Sequence, residues 1–163
     1  MLTRLEKTLF RLEAQYACIS WALAQISGRP GIVFELGLGL GRTFNHLSHH
    51  LPDRRILVFE REVRSYPDCT PDADQLILGD LGETLPTAAL KFQRQVIFVN
   101  SDVGTFAPEH NAAMAGLVGA HLPPALAPGA IVMSDLPLEL DGAQALDLPD
   151  GARPGRYYLY RMP

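Results

Sequence analysis

The chain has 163 residues, 47% of them hydrophobic and 20% charged, with a formal net charge of −4. That is enough chain for one domain with a full sheet-and-helix core. No apolar run is long enough to cross a bilayer, and no basic stripe marks a protein that lives on phosphate contacts. The two cysteines, Cys18 and Cys69, fit neither a metal spacing nor a disulfide framework and suit a reducing cytoplasm.

Residues 3 to 27 are expected to form a helix. Leu5, Leu9, Leu12, Tyr16, Ile19, Leu23 and Ile26 recur at three- and four-residue steps, leaving Arg4, Lys7 and Arg11 outside. Charges through this segment argue against a secretory leader, and Tyr16 and Trp21 read as core aromatics, with contact to a ligand as the alternative. Gly28-Arg29-Pro30-Gly31 ends the helix through glycine permissiveness and proline's missing donor.

Ile32 to Leu40, followed by Gly41, reads as a buried strand entering a tight turn that opens a helix. Glycines there let backbone amides approach a ligand without a Cβ in the way. The third glycine of a dinucleotide turn is missing, because Arg42 stands in its place. Glu35 suits a ligand with a cationic amino-acid end better than a pyrophosphate.

The next helix, about 41 to 51, points Phe44, Leu47 and Leu51 inward. His46 and His50 share a face, but no Glu or Cys nearby completes a metal set, so His46, His49 and His50 read as a solvated surface. Arg55 to Glu60 is a second strand. Its terminal carboxylate lies nineteen residues past Gly41, where it can accept bonds from ribose hydroxyls. With Pro67 and Pro71, residues 61 to 74 read as irregular.

Gln75 to Leu81 is the third strand, containing Gly79-Asp80, and Pro86 is expected to open a helix to about 93. Gln95 to Asp102 is the fourth strand. Pro108 starts a helix to about 121, with Ala112, Ala113, Gly116, Leu117 and Ala120 as its packing face. Ala127 to Asp135 is the fifth strand with its preceding turn. Leu138 to Pro149 is a poor helix, and Arg156 to Arg161 is a strand by its aromatic density.

Five strands in this order, with Glu35-Leu36-Gly37-Leu38-Gly39 and Gly41-Arg42-Thr43, resemble the class I S-adenosylmethionine (SAM) dependent methyltransferases over roughly residues 28 to 135. Gly79-Asp80 and Glu83-Thr84-Leu85-Pro86 narrow the resemblance to a small bacterial group of short members. It implies a Rossmann-like α/β fold with a central parallel sheet ordered 3-2-1-4-5 plus a C-terminal edge strand, about six strands in all, and helices on both faces. The single domain would comprise a helical segment over 1–27, a cofactor core over 28–135 and a shortened C-terminal part over 136–163.

The resemblance also implies SAM as cofactor. Gly37, Gly39 and Gly41 would line its methionine and ribose side, and Glu35 would orient the turn or meet the methionine ammonium through water. Arg42 and Thr43 would face the methionine carboxylate, and Glu60 the ribose diol. Gly79, Asp80 and Leu81 would meet adenine, with Asn100 and Ser101 beside the amino group and the methyl. Asp102 is the candidate catalytic residue, orienting or deprotonating the acceptor. Asp102 and Asp135 end strands where some relatives hold magnesium, but Leu136 replaces the usual Asn, so no metal is expected.

The expected activity is methyl transfer to a small molecule through oxygen or nitrogen, with no nucleic-acid or membrane partner. A homodimer is expected to cover the N-terminal helix and an open sheet edge near Tyr157 to Tyr160. A SAM-binding sensor without transferase activity and a dinucleotide-dependent oxidoreductase are the rival readings.

Overall fold

Continuous apolar runs become parallel strands because a parallel strand is covered on both faces. A computed structural model describes all 163 residues. It places β1 (Ile32–Leu36), β2 (Ile56–Glu60), β3 (Leu76–Leu78), β4 (Val96–Ser101) and β5 (Leu126–Ser134) in mutually parallel pairs. Beyond β5 come two antiparallel strands, β6 (Gln144–Leu146) and β7 (Tyr158–Arg161), giving the order β3-β2-β1-β4-β5-β7-β6.

The sheet therefore has seven strands rather than six. The aromatic strand β7 lies inside it, between β5 and β6, so Tyr157 to Tyr160 is not an open edge, and Tyr157 and Tyr160 are buried. The segment that reads as a poor helix contributes β6, the true edge on that side.

Alternation along β1 assigns side chains to two cores. Phe34 and Leu36 face a cluster with Leu85, Ala88 and Phe92 of α3 (Leu81–Lys91) and Val118 of α4 (Pro108–His121). Val33 faces the other cluster, with Cys18, Ile19 and Ala22 of α1 (Arg4–Gln25) and Phe44 and Leu47 of α2 (Arg42–His50).

Two helices differ from expectation in where they start or face. α3 begins at Leu81, five residues before Pro86, because Asp80 caps it by accepting from the Gly82 amide at 2.9 Å. On α4, Ala112, Ala113, Gly116 and Ala120 are exposed, and Val118 is the buried contact.

α1 opens with a reciprocal capping box between Thr3 and Glu6. It buries Ala14, Gln15, Cys18, Ile19 and Ala22, while Leu5 (79% exposed), Leu9, Leu12 and Tyr16 (66% exposed) face outward. Two causes combine: Ala14, Gln15, Cys18 and Ala22 hold the inward side, which turns Leu12 and Tyr16 away, and the helix outruns the strands. Twenty-two helical residues span about 33 Å at 1.5 Å each, whereas a five-residue strand spans about 17 Å. The amino-terminal half of α1 thus overhangs the carboxyl ends of the strands.

Candidate functional site

The carboxyl ends of β1, β2 and β4 converge on the glycine turn. Gly37 has φ +86°, and a Cβ there would stand 2.6 Å from the Asp102 carbonyl, so only glycine lets the turn pass the end of β4. Gly41 has φ +83° and lies against the Cys69 backbone. Gly39, between them, has open space where its side chain would be.

Glu35 lies under this turn with no exposed surface. It accepts from the Thr43 hydroxyl and, at 3.0 Å, from the Asn100 amide. Burial raises its pKa to about 8, against the lowering effect of those two hydrogen bonds. Asn100 and Ser101 are also fully buried, and Asn100 Oδ1 and Ser101 Oγ have no partner. Glu35 and Asn100, with Thr43, tie β1, β4 and α2 together from beneath the turn, and neither they nor the buried Ser101 offers surface to a ligand in this geometry.

Glu60 binds the turn from the side. One carboxylate oxygen accepts from the amides of Leu38 (2.9 Å) and Gly39 (3.2 Å), the other from those of Arg61 (2.7 Å) and Glu62 (3.2 Å). Partial burial works to raise its pKa, but the four amides together hold it below the ordinary value.

Two adjoining cavities open here. One, of about 280 Å³, is lined by Phe59, Glu60, Gly79 and Leu81 and, from α4, by His110 and Met114. The other, of about 270 Å³, lies between α1 and the turn, with Arg11, Gln15, Arg42 and Thr43 in its wall. Gly37, Gly39, Asp102 and Gly104 belong to both. Gly41 joins the second cavity, whereas Asp80 lines neither and serves as the cap of α3.

Asp102 is not a free carboxylate. Arg11 Nη2 donates to its two oxygens at 2.9 and 3.2 Å, and Gln15 Nε2 donates at 3.1 Å. Gln15 also donates to the buried Tyr157 hydroxyl at 2.8 Å. Asp135 accepts from the amides of Val103 (3.2 Å) and Gly104 (2.8 Å). Burial first, then the nearby charge of Asp102, raises its pKa to about 7.

Arg11, Gln15, His110, Met114 and Tyr157 were not singled out from the sequence. Gln15 and Tyr157 are 142 positions apart, and no local motif joins them. His110 and Met114 do lie four apart on one helix, a spacing that puts them on the same face. His46 stays apart from the cleft, with its ring edge-on to Tyr16 at 5.7 Å and 4.2 Å from that of His50.

The site thus offers a half-apolar lobe with a carboxylate at its rim, joined to a polar lobe carrying both charge signs. That combination is complementary in polarity and charge to a nucleoside bearing a zwitterionic tail. A family model described as S-adenosyl-L-methionine methyltransferase matches residues 2–162. The crystal structure of an S-adenosyl-L-methionine methyl transferase from Silicibacter pomeroyi DSS-3 is 42% identical over the whole of both chains, with a TM-score of 0.94.

More distant structures share the fold alone. The antibiotic-resistance methyltransferase Kmr is 11% identical over 86% of this chain and 91% of its own, with a TM-score of 0.56. The aminoglycoside resistance methyltransferase NpmB1 is 10% identical over the same shares, with a TM-score of 0.55. Among curated proteins no sequence matches significantly.

Proposed function

This chain belongs to the S-adenosyl-L-methionine methyltransferase family, and from that premise we propose how its cleft serves the reaction. The adenosine of SAM occupies the lobe of Glu60, Gly79, Leu81 and Met114, and its amino-acid end occupies the lobe beneath α1. The observation that carries this reading is the pair of lobes meeting at Gly37, Gly39, Asp102 and Gly104. SAM supplies a methyl group on a positively charged sulfur, a strong electrophile.

The residues present fit that cofactor. Open space at Gly39 leaves the turn free to be covered, and Glu60 lines the lobe where the ribose would lie, so that a diol bound there takes over acceptor positions now held by backbone amides. Leu81 and Met114 give apolar surface for a purine, and Asp80, the cap of α3, stands outside both cavities and is not assigned to adenine. The protein's main contribution is to hold donor and acceptor in line, worth up to about 7–11 kcal/mol.

The acceptor in this proposal is a small molecule attacked through oxygen or nitrogen. Its support is the net charge of −4 and the absence of a basic stripe. Proton handling, expected of Asp102, extends to Asp135. Asp102 is engaged by Arg11 and Gln15, whereas Asp135 lies behind the cleft wall, bonded to the amides of the lining residues Val103 and Gly104. Its pKa is raised to about 7 by burial and by Asp102, so the two carboxylates share the proton that exchanges near neutrality.

No helix is long and apolar enough to cross a membrane, and the two free, buried cysteines suit a cytoplasmic setting. The exposed stripe Leu5, Leu9, Leu12 and Tyr16 runs at four-, three- and four-residue spacing, the seam of a helix that pairs with another. We assign that seam to a second copy of the chain.

The acceptor is tested by incubating the protein with methyl-labelled SAM and a cell extract split into small-molecule, RNA and protein fractions. Label in the small-molecule fraction is expected. Label confined to RNA or protein overturns the acceptor assignment.

A further inference from the structure

The Arg11–Asp102 ion pair spans 91 positions of sequence and joins the overhanging half of α1 to the end of β4. Fold stability does not explain it. The Arg11 side chain is 43% exposed and that of Asp102 18%, so solvent screens the pair from the arginine side and the carboxylate is partly desolvated at a cost that offsets the attraction. The pair lies instead in the wall of a cavity, beside the glycine turn. Asp102 is held in orientation by Gln15, which is itself fixed by the buried Tyr157 hydroxyl.

A cleft wall that presents a guanidinium and a carboxylate in contact is complementary to a ligand whose own carboxylate and ammonium sit on one carbon. We propose that Arg11 and Asp102 together bind the amino-acid end of the donor, Arg11 taking the α-carboxylate and Asp102 the α-ammonium. Their mutual ion pair is exchanged for two with the ligand. Arg42, at the amino terminus of α2 and in the same wall, adds a second cation on the carboxylate side.

α1 is then a wall of the donor site and not a flanking helix. Asp102 positions the donor rather than acting on the acceptor. The inference rests on SAM being the donor, and its test separates the two claims.

Calorimetry with three ligands reads the two charges individually. S-adenosylhomocysteine carries both charges, its decarboxylated amine analogue keeps only the ammonium, and 5′-methylthioadenosine has neither. Arg11→Met is expected to weaken S-adenosylhomocysteine roughly tenfold or more. The same variant should leave methylthioadenosine unchanged and the amine analogue unchanged or tighter, since Asp102 has lost its competitor. Asp102→Asn is expected to weaken both S-adenosylhomocysteine and the amine analogue and to leave methylthioadenosine unchanged.

Methylthioadenosine also reports that the nucleoside lobe remains folded, and Arg11→Lys serves as a milder replacement that keeps the charge. If all three ligands weaken equally in Arg11→Met and Arg11→Lys, or if neither Arg11→Met nor Asp102→Asn discriminates among them, the proposal is overturned. A wild-type chain that binds none of the three overturns the donor reading instead.

Discussion

Glu35 shows what a single residue does for this site. It reads as a ligand-facing acid because it stands beside the glycine turn, yet its oxygens are spent on Thr43 and Asn100. Its pKa is about 8 in the fold against an ordinary 4.5, so the native state holds more protons than the unfolded chain between those values. Stability must then fall as pH rises through that window, by on the order of a few kcal/mol.

Glu35→Gln removes the titration. Urea melts at about pH 5 and about pH 9 should show a smaller stability difference in the variant than in the wild type; an equal difference would place the proton elsewhere. Asp135 gives a kinetic counterpart. With a pKa of about 7, it loses its proton as pH rises through neutrality, so turnover should rise over the same range. Asp135→Asn should lower turnover and flatten that rise while SAM affinity stays put. A variant with an unaltered pH profile would remove Asp135 from proton handling.

At the scale of elements, the glycine turn carries the tightest constraint. Gly37→Ala puts a side chain at φ +86° and drives its Cβ to 2.6 Å from the Asp102 carbonyl. Left-handed backbone alone costs about 1–2 kcal/mol, so a loss of about 2 kcal/mol or more is expected in thermal melts. An unchanged Tm would show that the turn can relax. The five parallel strands were legible because fully buried strands read as unbroken apolar runs.

The buried face of α1 was legible only in its carboxyl-terminal half, where Ile19 and the C-cap Ile26 are buried as expected and Leu23 packs on the core; in the amino-terminal half an outward stripe of leucines has the same helical spacing as a core face. Ala14, Cys18 and Ala22, which approach the sheet, are too small to dominate a hydrophobic pattern. The start of α3 was hidden for another reason: Pro86 looks like a first-turn residue, while the capping signal lay at Asp80. Within the site, the turn and Glu60 were readable as local signals. The Arg11, Gln15, Asp102 and Tyr157 network was not, since it forms only when α1, β4 and the segment before β7 meet.

At the scale of the whole molecule, the overhang of α1 links assembly to the cleft. One side of its amino-terminal half carries Leu5, Leu9, Leu12 and Tyr16 outward, and another side brings Arg11 and Gln15 to Asp102. A partner copy on the outer stripe would hold the inner wall in place. Light scattering at micromolar concentration should give a dimer mass for the wild type and a monomer mass for Leu9→Glu. A monomeric wild type would leave the stripe without this role. The account as a whole stands on the donor site, which titration of the intact chain with S-adenosylhomocysteine tests directly. Saturable one-to-one binding is predicted, weakened about tenfold or more in Glu60→Ala, which removes the ribose acceptor and the carboxylate that holds the Leu38 and Gly39 amides of the turn; no binding by the wild type would contradict it.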